Sequence, residues 1–286
     1  MEIARRLGDV EIVTVDSMQV YRGMDLGTAK PTPQEQDEIP HHLIDIADPS
    51  EDWTITRWAE HAREAISRIE GRGNRALVVG GTGLYFQALV DGLQPPARYP
   101  EIRAQLESDP DTAAMYERLS AVDQRAASRM EPTNRRRVIR ALEVTLGSGR
   151  SFSSYGPGVA SFPPAPAWRM AGVWVPRPVT AERISRRFDA MMQNGLLEEV
   201  QHLRNTSPPN GLSRTARQAL GYRELLDHLD NGIPLPQAVE EAKRRTRTFA
   251  RRQRVWWRRD PRIIWFGSAD NPFAVTDALL GQWRSS

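Results

Sequence analysis

The 286-residue sequence contains no cysteine. Disulfides, thiolate catalysis and cysteine-based zinc sites are therefore excluded, and the composition fits the reducing cytoplasm, where the chain is expected to work. Long apolar runs are also missing. No segment approaches the roughly 20 apolar residues that a membrane-spanning helix needs, so no membrane partner is expected. The first residues, Met1 to Leu7, carry Glu2, Arg5 and Arg6 rather than the apolar stretch of a secretory signal. Histidine is scarce, at five residues. His41 and His42 are adjacent, near Asp45 and Asp48, but neighbouring side chains diverge in regular structure. His61, His202 and His228 show no zinc spacing, so no metal ligands are assigned.

What is present is enough for one substantial core with a smaller inserted module. Formal charge is only +3, but its distribution is uneven. Between Lys243 and Arg262 the chain carries ten basic residues, Lys243, Arg244, Arg245, Arg247, Arg251, Arg252, Arg254, Arg258, Arg259 and Arg262, against the single acid Asp260. Arg135, Arg136, Arg137 and Arg140 form a second cluster. Arginine suits bidentate contacts to phosphates or base edges, although a solvated helix face is the plainer reading of such a run.

Glu11 to Val15 reads as a short β-rich strand ending at Asp16, and Arg75 to Val79 as another, ending at Gly80-Gly81-Thr82-Gly83. Between them Trp58, Ala62, Ile66 and Ile69 recur at helical spacing, with Thr54 to cap the start and Gly71 and Gly73 to end the helix. Strand, helix and strand in this order predict a mostly parallel α/β core with ligands at the carboxyl ends of the strands, which places Asp16 and Thr82 on one edge. From Tyr99 to Ser148 helices dominate, with Ile102, Leu106, Met115, Leu119, Val138, Leu142 and Leu146 as buried positions. A Gly-, Ser- and Pro-rich loop covers 147–166, and a strand covers Trp168 to Val175. We therefore expect a core of residues 1–98 and 167–286 holding a mainly helical insertion over 99–166. Later helices are expected from Ile184 to a break at Gly195, over Leu197 to Leu203, Arg217 to Leu229 and Leu235 to Trp257, with a loop at 206–211 and a last strand at Ile263 to Phe266.

Asp16 is the sharpest catalytic candidate, because a carboxylate at a strand's carboxyl end can accept a proton from a ligand. It could equally bind Mg²⁺ through water or cap the following turn. Gly80-Gly81-Thr82-Gly83 can bring backbone N–H groups and a hydroxyl to an anion, but without Gly-Lys-Ser/Thr it is no P-loop, and alone it reads as a structural turn. Arg244, Arg247, Arg251, Arg254 and Arg258 fall on one helix face, and Arg136 and Arg140 lie one turn apart, so two basic elements could clamp an RNA.

The chain resembles the bacterial tRNA dimethylallyltransferases, also called tRNA isopentenyltransferases. The resemblance rests on Asp16-Ser17-Met18-Gln19-Val20-Tyr21-Arg22 and its continuation to Pro31, His41-His42-Leu43-Ile44-Asp45, Val79-Gly80-Gly81-Thr82-Gly83-Leu84-Tyr85, Arg136-Arg137-Val138-Ile139-Arg140, Gln218-Ala219-Leu220-Gly221-Tyr222-Arg223 and Thr246 to Gln253. It implies a P-loop-kinase-like α/β fold with a mostly parallel sheet and a helical insertion. It further implies Mg²⁺-aided transfer from dimethylallyl diphosphate to N6 of the adenosine 3′ to the anticodon of tRNA. Asp16 would be the general base and Thr82 would sit beside the reacting centre. Arg187 would help bind the diphosphate. The resemblance assigns tRNA contacts to Ser17, Met18, Gln19, Thr82, Arg136, Arg137, Val138, Ile139, Arg140, Gln218, Gly221, Tyr222, Arg223, Arg251, Arg252, Gln253 and Arg258. The chain is expected to act as a monomer on the anticodon stem-loop.

Against the family pattern, no Gly-Pro-Thr-x-x-Gly-Lys-Ser/Thr loop and no strand ahead of it are found, and Glu2 to Gly8 resembles the end of the helix that such a loop opens. The expectation is a late start, with the first strand and the P-loop absent and transfer by this chain weak or lost. The competing readings are a non-catalytic tRNA-binding protein derived from the enzyme, and a small-molecule kinase, in which the arginine-rich elements and Asp16 to Gln19 have no natural place.

Overall fold

In the computed structural model, which describes residues 1–156, 158–206 and 211–284, helix α1 (Glu2–Leu7) leads through Gly8 in the left-handed region into strand β1 (Val10–Val15). A short capped helix α2 (Pro33–Glu38), strand β2 (His41–His42), helix α3 (Ile55–Gly71), strand β3 (Arg75–Gly80) and helix α4 (Gly83–Val90) follow. The Thr54 hydroxyl accepts the Arg57 N–H at the start of α3, as its position suggests. Then come α5 (Pro100–Ser108), α6 (Thr112–Val122), α7 (Gln124–Ala127) and α8 (Arg135–Ser148), after which β4 (Ala171–Trp174) returns the chain to strand. Helices α9 (Arg177–Gln193), α10 (Leu196–Thr206), α11 (Tyr222–Asn231) and α12 (Leu235–Trp257), strand β5 (Ile264–Gly267) and α13 (Thr276–Arg284) complete the order. Most of the expected 206–211 loop, and Pro157 in the 147–166 loop, lie outside the described residues.

Two compact units result, residues 1–91 with 164–286, and residues 92–163. In the larger unit the strands form two parallel groups, β2-β1-β3 and β4-β5. Every residue of β1 is buried, as expected of a strand covered on both faces. Glu11 is among them, and its charge is compensated. Arg72 donates to it at 2.7 and 3.1 Å, Asn74 at 2.9 Å, and His42 Nε2 lies 2.6 Å away. These contacts hold the Glu11 carboxyl at about 2, with the Arg72 bonds the largest cause. They also occupy His42, while His41 bonds the Ile39 carbonyl. Among the described residues no group of three His, Asp or Glu side chains could hold a metal ion.

The smaller unit packs Leu106, Met115, Leu119, Ala126, Val138, Ile139 and Leu142 into its own core. Leu146, expected among them, lies outside this core, 36% exposed in the last turn of α8. Arg217 also falls short of its expected helix. Residues 216–218 form a 3₁₀ turn, and α11 starts at Tyr222 after Gly221 takes a left-handed φ of 89°. Among the described residues no helix is long and apolar enough to cross a membrane.

Candidate active site

β1 delivers Asp16 to its carboxyl end, where the chain turns sharply. Asp16 Oδ1 accepts the Met18 N–H at 2.8 Å and the Gln19 N–H at 3.4 Å. Oδ2 accepts no hydrogen bond from the described residues, so one oxygen fixes the turn and the other is available. Burial pushes the Asp16 carboxyl above its ordinary range, while the two N–H donors and the charge of Arg187 pull against that rise. Arg187, on α9, feels the same field. Desolvation disfavours its charge, Asp16 supports it, and Arg183 opposes it.

β3 pairs with β1 in parallel register up to Val15 and Gly80, which brings the Gly80 to Gly83 turn alongside Asp16. The Thr82 N–H donates to the Val15 carbonyl at 3.2 Å, so Thr82 stands next to the residue preceding Asp16. Its hydroxyl does not cap α4. The glycines are required by what covers the turn. A Cβ on Gly80 would lie 2.8 Å from Val15 Cα, and one on Gly83 would lie 2.8 Å from Cε2 of the Trp256 indole. Gln253 donates to the Gly81 carbonyl at 3.1 Å. The arginine-rich α12 thus lies directly on the turn that carries Thr82.

The segment after Asp16 folds into a strapped loop. Gln19 Nε2 donates to the Thr28 and Ala29 carbonyls at 2.9 and 3.3 Å. Lys30, whose side chain is only 3% exposed, donates to the Tyr21 carbonyl at 2.8 Å and to Asp25 and Asp45 at 2.6 Å each. Ala29, Leu43 and Asp45 take positive φ values of 51°, 68° and 56°, a strain that this strapping sustains. From below, Glu199 accepts the N–H groups of Asp25, Leu26 and Gly27, and the Tyr222 hydroxyl donates to Glu199 at 2.5 Å. Gly27 has no room for a side chain, because a Cβ would sit 2.7 Å from Tyr222 Cζ.

The residues expected to touch RNA divide into two groups. Ser17, Met18, Gln19, Thr82 and Gln253 are half-buried around the carboxyl ends of β1 and β3, and Arg251, Arg252 and Arg258 are exposed along α12. Exposed Gln218 accepts from half-buried Arg223 at 3.1 Å. In the smaller unit Arg136 and Arg137 are exposed. Other members of the set lie inside. Tyr222, Val138 and Ile139 are buried at 0, 0 and 3% exposure, and Gly221 is buried beside Phe188. Arg140 is spent on the Pro96 and Ala97 carbonyls and on Glu143. Sequence reasoning did not single out Lys30 or Glu199, which hold the loop after Asp16. Only contacts between residues far apart in the chain reveal them.

A polar edge at the ends of parallel strands, with a half-buried carboxylate, a Gly-rich turn and an overlying arginine helix, is the kind of site an α/β enzyme presents. The family model described as IPP transferase matches residues 19–260, and the chain belongs to that family. It is similar to a tRNA dimethylallyltransferase of Geobacter metallireducens, at 42% identity over 98% of this chain and 91% of that protein. Among solved structures it resembles the full-length tRNA isopentenylpyrophosphate transferase of Bacillus halodurans, at 35% identity and a TM-score of 0.68, covering 99% of this chain and 91% of that one. A eukaryotic dimethylallyltransferase, described as acting on tRNA, matches 99% of this chain and 71% of its own, with 25% identity and a TM-score of 0.73.

Proposed function

We propose that this chain transfers a dimethylallyl group from dimethylallyl diphosphate to N6 of the adenosine adjacent to the 3′ side of the anticodon in tRNA. The observation that carries the reading is Asp16, one oxygen anchored in the turn and the other without a hydrogen-bond partner among the described residues, at the end of the strand whose Val15 carbonyl bonds the Thr82 N–H. The amino nitrogen of adenine is a poor nucleophile because its lone pair is delocalised into the ring. As the N–C bond forms, Asp16 Oδ2 accepts the N6 proton, the C–O bond to the donor breaks, and diphosphate leaves with the bonding pair. Arg187 offers positive charge to the departing diphosphate. An anticodon-loop base leaves its stack cheaply because it is already single-stranded, and Ser17, Met18, Gln19 and Thr82 line the edge that would receive it.

Mg²⁺ would lend charge to the diphosphate. Mg²⁺ in such sites is held by one or two carboxylates together with phosphate oxygens, an arrangement that needs no three-ligand cluster of side chains. Arg251, Arg252 and Arg258, with Arg136 and Arg137 of the smaller unit, would hold the RNA backbone, and the work is expected of a monomer in the cytoplasm.

The test is incubation with dimethylallyl diphosphate, Mg²⁺ and a synthetic anticodon stem-loop, followed by nucleoside mass analysis. Because the sequence carries no Gly-Lys-Ser/Thr loop to grip the diphosphate, transfer is expected to be weak, and prenylated adenosine at the predicted position, even at a low rate, supports the reading. Tight stem-loop binding without any transfer would favour a binding protein, and ATP turnover without RNA would favour a kinase. Either outcome would sink it.

A further inference from the structure

One cavity of the larger unit has no role in the chemistry above. It lies between α9 and α12, has a volume of about 180 Å³, and is lined by Arg177, Thr180, Ala181, Ile184, Arg247, Ala250, Arg251 and Arg254. The two sets of residues repeat at i, i+3, i+4 and i+7, so each is a single helix face, and the two faces meet as the walls of one groove. The floor is apolar, the rim carries four guanidinium groups, and no carboxylate lines it. Carboxylates satisfy several neighbouring bases of α12. Arg244 pairs with Glu241, Arg245 with Glu224 and Lys243 with Asp189, at 2.7, 2.6 and 2.7 Å. No such partner reaches Arg177, Arg247, Arg251 or Arg254 among the described residues. Arg254 is held by the Val175 carbonyl and the face of Trp174, with its guanidinium carbon 3.9 Å from the ring centroid. Desolvation, followed by the like charges of Arg177 and Arg258, lowers its pKa.

Four arginines that share one small cavity without a counterion repel one another, and the arrangement is relieved when an anion enters. Guanidinium groups favour oxyanions that they can grip in bidentate fashion, phosphate above all. The cavity has an open, partly exposed rim with no cradle of backbone N–H groups, which suits a phosphate that arrives on a strand better than a small ion that must be enclosed. Along α9, Arg177 is ten residues from Arg187, which a rise of about 1.5 Å per residue converts to roughly 15 Å. The groove thus runs from Arg177 at its far end to Ile184, one turn short of Arg187, so a phosphate gripped at the Arg177 end lies away from a diphosphate at Arg187.

We propose that Arg177, Arg247, Arg251 and Arg254 form a binding site for one backbone phosphodiester of the RNA, away from the reacting nucleotide. This rests on the proposed RNA substrate. Arg177 belongs to none of the sequence motifs, and Arg247, though inside the Thr246 to Gln253 motif, is assigned no RNA contact of its own. The site reads no base, so it sets register and affinity rather than the choice of adenosine.

The test compares the full chain with Arg177→Gln, Arg247→Gln and the double variant, using fluorescence anisotropy of a labelled anticodon stem-loop across a salt series. Loss of one single-strand phosphate contact lowers the slope of log K against log salt by about 0.7, with weakening alike for stem-loops of different sequence. Arg177→Lys, which keeps the charge, is expected to keep the slope, and thermal melts verify that each variant folds. An unchanged slope in the double variant would overturn the proposal. So would a variant that binds RNA normally but loses inhibition by inorganic diphosphate, because the site would then belong to the donor. Failure of the unsubstituted chain to bind the stem-loop would instead refute the RNA substrate itself.

Discussion

Replacement of Asp16 by asparagine separates the two jobs of its side chain. The amide carbonyl can still accept the Met18 and Gln19 N–H groups, now at 2.8 and 3.4 Å, so the turn survives. The free Oδ2 becomes an N–H₂ donor and can take no proton. General-base assistance is worth about 10² to 10⁴ in rate, or roughly 3 to 5 kcal/mol of barrier. Single-turnover transfer should fall by that factor, while stem-loop affinity changes little. Stability should move the other way. The folded protein raises the carboxyl of Asp16 above its unfolded value, so ionisation there opposes folding. That penalty is absent below the unfolded value near 4, grows as pH rises through the folded value, and is complete above it. Asp16→Asn should therefore match the parent at pH 3 and equal or exceed its urea midpoint at pH 7. Asp16→Ala, which loses the turn acceptor, should be less stable by about 1 kcal/mol. A transfer rate for Asp16→Asn within a factor of ten of the parent would refute the assignment. A loss of stability specific to pH 7 would show that the charge serves the fold instead.

Other perturbations test the scaffold around this carboxylate. Gly83→Ala drives a methyl into the rigid Trp256 indole and should cost about 1–3 kcal/mol in chemical denaturation. Trp256→Ala should remove most of that increment in a double-mutant cycle, and additivity of the two would contradict the packing argument. Lys30→Met leaves the half-exposed Asp25 and Asp45 without their shared cation and the Tyr21 carbonyl without its donor, and should cost about 1–2 kcal/mol, measured by urea unfolding, with faster proteolysis of the 16–30 loop. Glu11 is held at about 2 against an ordinary 4.5, so its contacts stabilise the fold above pH 4.5 and are lost as pH falls through 2. Discounted for the half-exposed Arg72, the contribution is about 2 kcal/mol, and Glu11→Gln should lose it at pH 7 but not near pH 2.

What the sequence conveys and what it conceals follow from the range of the interactions involved. Helix α12 spans Leu235–Trp257, the bounds that its periodicity suggests, and the Thr54 cap lies where the local pattern puts it. Asp16 and Thr82 share an edge because parallel strands joined through a helix leave few other arrangements. Roles inside the shared motifs are harder to read, since a distinctive word can mark either a surface or its support. In Gln218 to Arg223 the exposed Gln218 sits a few residues from Tyr222, whose ring fills the space that Gly27 leaves open almost 200 residues earlier. Arg136 and Arg137 are exposed while Arg140, one turn on, ties down the chain before α5. Periodicity cannot separate these cases, because a guanidinium that grips a carbonyl and one that awaits a phosphate have the same spacing on a helix. The carboxylates within reach do separate them. Arg244 and Arg245 have partners and Arg247 and Arg251 have none among the described residues, although all four lie on the same two turns of α12. Of the bases in this region left without a carboxylate among the described residues, Arg247, Arg251 and Arg254 share the groove beside α9, whereas Arg252, Arg258 and Arg259 lie outside it.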